Sequence, residues 1–439
     1  CGSSETVSSN NSEGNNNNEA GSRETAPPKD NSESAVPADQ PVELVFYSTS
    51  GDSEESFNLR FGDAIREQFP HYTIQYVRAG EGTGLDEYIT SGQQMDIYWD
   101  SIGKLTPALI DRNLKSDMTA LIDKHNVDLT ALEQTAVEGI KNFADNDEIY
   151  GVPIFNNNMV LYYNKDIFDR FGVDYPTDGM TWAEAAEMSH KLTRSDDGKL
   201  YAGLSSSPGH MIINNQLSLP LIDPGTHTAT INTNDLWRKY YETVFLAVTD
   251  TPGYREYMES IGGGYPYRNE FLVDQTLAMF AWLSSIVFVF PDDYSSMNWD
   301  MVALPTFEDH PGIGSQGYPT YFSITSISDN PDASMQVIKH LISKEVQIEL
   351  AKTGVMPVLT DDEVIAAYGS ESFFSDKNVG AAFYNQFAPI SVKTKYDNLA
   401  EAPYWRAIDG VIQTGDMNTV FREKAEEVNQ AIPERKAGE

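Results

Sequence analysis

IYGVPIFNNNMVLYYNKDIFDRFG, residues 149–172, holds two short apolar runs separated by a polar bridge. The first run is broken by Pro153, and the second, MVLYYN (159–164), has the apolar character of a buried strand. Phe155 and the three amides Asn156, Asn157 and Asn158 stand between them. A proline and four polar or aromatic residues between two apolar strands predict a chain that leaves one structural unit and enters another.

Apolar runs alternate with amphipathic stretches on the N-terminal side. VELVFYSTS (42–50) is a strand ending in small polar residues, and NLRFGDAIREQFP (58–70) puts Phe61, Ile65 and Phe69 on one helical face. YTIQYV (72–77) alternates as a strand does, GLDEYITSG (84–92) is helical, DIYWDS (96–101) is a strand, and PALIDRNLK (107–115) is helical. This βαβ rhythm predicts a mainly parallel sheet covered by helices, with a ligand crevice beyond the carboxyl ends of its strands. The segments at those ends are STSGD (48–52), AGEGTG (79–84) and WDS (99–101), which puts Ser48, Ser50, Glu81, Trp99 and Asp100 among the candidate ligand-binding residues.

On the C-terminal side, TWAEAAEMSHKLT (181–193) opens with Thr181 three residues before Glu184, the signature of a capping box. DDGKLYAG (196–203) reads as a turn into a strand, because it lacks the alternating oxygen ligands of a calcium loop. EFLVDQTLAMFAWLSSI (270–286) is a helix followed by a buried strand; WDMVALP (299–305) and YFSITSIS (321–328) are strands. Residues 331–354 form two helices and 403–432 two more. From about Val42 to Ile432 the chain is longer than one hydrophobic core usually supports, so two lobes are expected.

The formal net charge is −36. In the first 40 residues seven acids face only Arg23 and Lys29, which leaves −31 on the remainder. That balance argues against nucleic acid and against anionic lipid as partners, since both demand basic patches. With 23 Tyr, 20 Phe and 6 Trp, the chain has rings in plenty for stacking on flat ligands as well as for its cores.

The only cysteine is Cys1, followed by Gly2, Ser3 and Ser4. It has no disulfide partner within the chain, and a lone thiol is no zinc site. A chain starting at Cys before small residues is what lipoprotein processing leaves, so lipidation of Cys1 is expected. Residues 2–40 are rich in Ser, Asn, Glu and Pro, with Val7 and Val36 their only large aliphatics. Such a segment buries too little to offset chain entropy and makes a flexible leash of about 30–35 Å root-mean-square span. MFAWLSSIVFVF (279–290) is too short to span a bilayer.

Catalytic motifs are missing from the sequence: there is no GxSxG elbow and no Walker lysine. The seven histidines, at 71, 125, 190, 210, 227, 310 and 340, include no i, i+4 pair, so neither a metal site nor a cofactor is expected. GEGTG (80–84) reads as a plain turn rather than an anion cradle.

Four blocks in order resemble the family 1 extracellular solute-binding proteins, the lipid-anchored receptors of ATP-binding-cassette importers. They are MDIYWDSIGKLTPALIDRNLKSDMTALID, EIYGVPIFNNNMVLYYNKDIFDRFGVDYPTDGMTWAEAAEMSHKLT, LAMFAWLSSI and SISDNPDASMQVIKHLISKEVQIELAKTGVMPVL. The likeness runs from about 42 to 432. The chain departs from the family at AWLSS, where a glycine often precedes the Trp, and at YFSITSIS, where a Gly-rich start is common.

The resemblance implies an α/β, periplasmic-binding-protein-like fold of two discontinuous lobes joined by a hinge, similar to maltose-binding protein. It divides the chain into a lipid-anchored linker (1–40), a first lobe (41–154 plus 321–370) and a second lobe (155–320 plus 371–435). Crossovers are expected at Val152–Asn158, at Gly317–Phe322 and beyond about residue 370.

The implied function is capture of a carbohydrate, an oligosaccharide, by hinge closure and without covalent chemistry. The implied partners are that solute, importer permease subunits, and a membrane reached through the Cys1 lipid. The implied setting is the outer face of a Gram-positive cell membrane, with the protein a monomer. The rivals are the same receptor for a peptide or metal chelate, and a secreted glycoside hydrolase.

Within this frame Trp99 and Asp100 are expected to face the cleft. Asn156, Asn157 and Asn158 are expected to line the hinge mouth. Trp282 and Trp405, with Tyr404 beside them, are expected to form an aromatic platform, because Trp at matching points of the family stacks on sugar rings. His210 and Tyr318 complete the candidate ligand-binding set.

Overall fold

The computed structural model of the protein describes residues 36–143 and 147–438. Cys1 and most of the expected linker lie outside the described residues, so the expected lipid anchor does too.

The described residues form twelve strands, ten of them in two five-stranded sheets. The first sheet has the order β2 (Tyr72–Arg78), β1 (Val42–Ser48), β3 (Ile97–Ser101), β11 (Thr320–Ile324), β4 (Val152–Phe155). β1 is parallel to β2 and β3, as the βαβ rhythm predicts. β11 is antiparallel to both β3 and β4, so the sheet is mixed. The reason is connectivity: β11 arrives from the other lobe at the end toward which β1 and β3 run, and so must run away from it.

The second sheet has the order β6 (Arg194–Asp196), β7 (Lys199–Ser206), β8 (Leu277–Leu283), β5 (Met159–Asn164), β9 (Trp299–Ala303). β6 and β7 form a hairpin whose turn residues Asp197 and Gly198 both have positive φ, the conformation an Asp-Gly hairpin turn supplies. A short parallel pair, β10 (Ile313–Gln316) with β12 (Gln386–Ala388), completes the strands.

The chain passes from β4 to β5 through Asn156–Asn158 and from β10 to β11 through Gly317–Pro319. The two connectors lie side by side, the Tyr318 N–H donating to the Asn157 carbonyl at 2.8 Å. Gly317 permits this approach, since a Cβ there would stand 2.8 Å from Asn156 Oδ1. The chain leaves the first core after Val358 and joins the second at Tyr368, while Met356 already packs into the second core.

Rings fill these cores. Phe46, Phe57, Phe61, Trp99 and Phe322 pack on one face of the first sheet, and Tyr47, Tyr88, Tyr98 and Tyr321 on the other. In the second lobe the helix Trp182–Leu192 opens with the predicted capping box: the Glu184 N–H donates to Thr181 Oγ1 (3.2 Å), and the Thr181 N–H donates to Glu184 Oε2 (2.9 Å). That helix lies directly on Gly203 of β7, where a Cβ would overlap the backbone of Ser189.

Two helices depart from the sequence reading, and both departures bear on the site. Helical turns begin at Ile102, directly off β3 with Ser101 as N-cap, and end at Ile110 rather than continuing to 115. The helix of the C-terminal region begins at Asp397, so Pro403 is inside it rather than at its start. Burial of Ala400, Pro403, Tyr404, Ala407 and Ile408 along one face carries the helix through the proline.

Candidate functional site

Where β1 ends, a polar chain leads outward from Ser48, which is fully buried and so offers no surface to a solute. Ser48 Oγ donates to Ser50 Oγ (3.0 Å), and Ser50 Oγ donates to Asp52 Oδ2 (3.0 Å). Arg60 pairs with that same carboxylate oxygen at 2.6 Å. The Arg60 guanidinium lies 5.4 Å from the ring centres of Trp99 and Phe155. Glu81 is exposed on the turn after β2, the edge strand of the sheet.

Asp100 is buried where β3 ends. Its Oδ2 accepts from Thr49 Oγ1 (2.5 Å) and Tyr98 Oη (3.1 Å), and its Oδ1 accepts from the Ser101 N–H (2.9 Å). Burial pushes this carboxyl above its ordinary range, against the pull of those hydrogen bonds and of Lys104. Ser101 Oγ donates to Tyr318 Oη at 3.2 Å. Tyr318, in the second connector, thus touches the first lobe; burial raises its pKa, with Glu401 of the second lobe and Asp100 adding to the rise.

Trp99 does not share the place of Asp100. It is 2% exposed and packs edge-on to Phe61 (5.3 Å) and against Phe57, Tyr76 and Phe322. Its ring is part of the aromatic core on one face of the sheet, while Asp100, itself 3% exposed, turns to the opposite face. The expectation for Trp99 is corrected on that ground.

Trp282 is likewise core, at 3% exposure. The helix Ile286–Val289 folds back and lays Phe290 flat against its ring at 5.6 Å, while Phe280 and Tyr267 close it on other sides. Tyr404 is 0% exposed; its hydroxyl donates to the Leu221 carbonyl (2.6 Å) and accepts from the N–H groups of Thr230 (2.9 Å) and Ile231 (3.2 Å). It holds a loop in place and offers no face to a solute.

The three amides also serve the fold. Asn157 Nδ2 donates to Ser285 Oγ (2.8 Å), and Asn157 Oδ1 accepts from Ser284 Oγ (3.0 Å). Asn158 Nδ2 donates to the Ala382 carbonyl (2.7 Å). Asn156 and Asn158 are buried within the connector, where they hold the crossing rather than line an open mouth.

Trp405 differs from these rings: it is 40% exposed. With His210 it borders a cavity of about 490 Å³ in the second lobe, whose other walls include Ser207, Ile213, Tyr265, Tyr267, Ile408 and Asp409. His210 Nδ1 is 2.7 Å from Ser207 Oγ, which lies 3.1 Å from Tyr267 Oη. Burial pulls the His210 imidazole down to about 4, so it is neutral at physiological pH. Burial raises Asp409, whose one backbone support is the Tyr265 N–H; its Oδ1 is buried without a hydrogen-bond partner.

Tyr265, Tyr267 and Asp409 escaped the sequence reading. Asp409 was legible in principle, because it lies four residues after Trp405 and so on the same helical face. A hollow of about 350 Å³ elsewhere on the second lobe is walled largely by charged and polar groups such as Arg238, Glu242, Asp250 and Arg255, and offers no aromatic ring.

Among the described residues no group of three His, Cys, Asp or Glu side chains could hold a metal ion, and no helix is long and apolar enough to cross a membrane.

The sequence pattern of the bacterial extracellular solute-binding protein family matches residues 50–348. Solved structures share the fold. A sugar transporter from Rhizobium etli in an open conformation is 21% identical with a TM-score of 0.69, covering 88% of this chain and 99% of its own. An ABC substrate-binding protein from Listeria monocytogenes in complex with cycloalternan is 17% identical with a TM-score of 0.67, covering 90% and 100%. The cyclic alpha-maltosyl-1,6-maltose binding protein of Arthrobacter globiformis is 17% identical with a TM-score of 0.66, covering 89% and 99%.

Proposed function

Because the chain belongs to the bacterial extracellular solute-binding proteins, we propose that it is the receptor of an ATP-binding-cassette importer and captures an oligosaccharide by closing its two lobes. The observation that carries the sugar is the cavity at Trp405. It combines half-open aromatic faces, on which the C–H face of a sugar ring stacks, with hydroxyls, a neutral imidazole and a carboxylate that match sugar hydroxyls. The solved relatives named for sugars and for cycloalternan support the same reading. The first lobe would supply Asp100 and Ser101, and the second connector Tyr318, from across the cleft. The reading includes no turnover.

A thermal-shift and calorimetric screen over neutral oligosaccharides tests it, with peptides and metal chelates as controls. A sugar is expected to raise the melting temperature and to be recovered uncleaved. Trp405→Ala is expected to weaken that sugar at least about fivefold, since stacking on one ring contributes on the order of 1 kcal/mol. The melting temperature of the unliganded variant should stay near that of the parent, because the ring is half open. Binding of a peptide or chelate alone would end the carbohydrate reading, and release of shorter sugars would favour a hydrolase.

The tether is part of the same proposal. Cys1, followed by Gly2, Ser3 and Ser4, and the polar segment after it support a lipid-anchored receptor on the outer face of a Gram-positive membrane, delivering solute to permease subunits. Metabolic labelling with a palmitate analogue, in such a host and with a lipoprotein signal, should mark the parent and not Cys1→Ala. Equal labelling of both would refute the anchor.

A further inference from the structure

We infer that the Trp405 cavity takes a protonated amine, which makes the solute a glycan carrying amino groups. The inference rests on the carbohydrate reading above and narrows it. Three aromatic residues, Tyr265, Tyr267 and Trp405, wall a cavity that also holds the carboxylate of Asp409. Among the described residues lining it, none is Lys or Arg, and His210 is neutral. The negative charge on this wall therefore has no positive neighbour within the cavity.

Asp409 Oδ1 is buried without a donor, and burial disfavours the ionised form of this carboxyl unless a cation sits beside it. Leaving a buried charged acceptor unsatisfied is costly, and a charge-assisted hydrogen bond is the strongest relief. A sugar hydroxyl would satisfy the acceptor but leave the charge uncompensated. An ammonium group answers both deficits, and aromatic faces attract it further through their quadrupoles.

Nearby cations are engaged elsewhere. Lys393 Nζ donates to the Ile213 carbonyl (3.3 Å) and to Ser391 Oγ (3.2 Å), and Arg406 pairs with Glu427 (2.6 Å). The net charge of −36 adds a long-range attraction for a cationic solute.

Calorimetry on the full chain at about pH 6, where a sugar amine is protonated, tests the inference. The probes are short glucosamine oligomers, their N-acetylated counterparts, and glucose oligomers of the same linkage and length. The amine form is expected to bind about tenfold or more tighter than either neutral form. That ratio should shrink at high salt. Asp409→Asn is expected to bring the ratio close to one by lowering amine affinity more than neutral affinity.

Equal affinities in the parent protein, tighter binding of a neutral form, or equal losses for both forms in Asp409→Asn would overturn it. Should the variant fail to fold, the salt dependence of the ratio in the parent decides alone, and an unchanged ratio overturns the inference. Binding of neutral glycans without amines defeats this inference and leaves the carbohydrate reading standing. Binding of no glycan, here or in the wider screen, defeats both.

Discussion

Trp99→Ala is expected to lower stability by about 3–5 kcal/mol, the cost of deleting a large buried ring and leaving its cavity. The ring touches Phe57, Phe61, Tyr76 and Phe322 and carries the Arg60 guanidinium on its outer side, so no single neighbour can collapse into the space. Its indole N–H is buried without a partner, which means the substitution removes packing and loses no hydrogen bond. The melting temperature should fall by roughly 5 °C. Solute affinity measured well below that temperature should hold, because Asp100, on the opposite face of the strand, keeps its contacts with Thr49, Tyr98 and Ser101. A small change in melting temperature with a large loss of affinity would return Trp99 to the cleft.

Gly203→Ala should be at least as damaging, from a single added methyl. The new Cβ would overlap the Cα, the carbonyl oxygen and the side chain of Ser189, in the helix laid across β7. A flexible side chain could swing aside, but a helix backbone cannot move without shifting Trp182, Ala185 and Leu192, all buried in the second core. Overpacking of this kind costs about 3 kcal/mol or more. If the strand retreats, the Gly203 N–H also loses the bond it donates to Thr193 Oγ1 at 3.0 Å. Thermal unfolding followed by far-ultraviolet circular dichroism reads the effect; an unchanged midpoint would mean that helix and strand separate more easily than their packing implies.

The sequence made some of this structure legible and hid the rest for identifiable reasons. Strands such as Val42–Ser48 and Leu277–Leu283 announce themselves as apolar runs, and Thr181 with Glu184 marks a helix start by local chemistry alone. The bridge Asn156–Asn158 between two apolar runs was readable as a break between strands. The antiparallel place of Thr320–Ile324 between Ile97–Ser101 and Val152–Phe155 was not, because pairing across such sequence separations leaves no local mark.

The site shows the same division. Trp405 and His210 meet in one cavity only through the fold, and nothing near either one names Tyr265 or Tyr267 as a neighbour. Position at a strand end and the family resemblance point Trp99, Trp282 and Tyr404 to the cleft, yet large rings go to cores whenever a sheet can cover them. Strand alternation separates Trp99 from Asp100, but which of them packs into a core is decided by the elements that cover each face.

The central position of β11 governs the order in which the chain can mature. β4 ends at Phe155 and β11 begins at Thr320, with 164 residues between them. Until the later segment arrives, β3 and β4 have no common partner, and their facing edges are open. At ribosomal speeds of about 5–20 residues per second, that gap lasts roughly 8–33 s. A polypeptide whose first sheet cannot close during that interval stays extensible while it is being made. The second sheet, whose five strands all precede β11, has its full set of strands first, so the edges of β3 and β4 are the last backbone donors and acceptors of the two sheets to find partners.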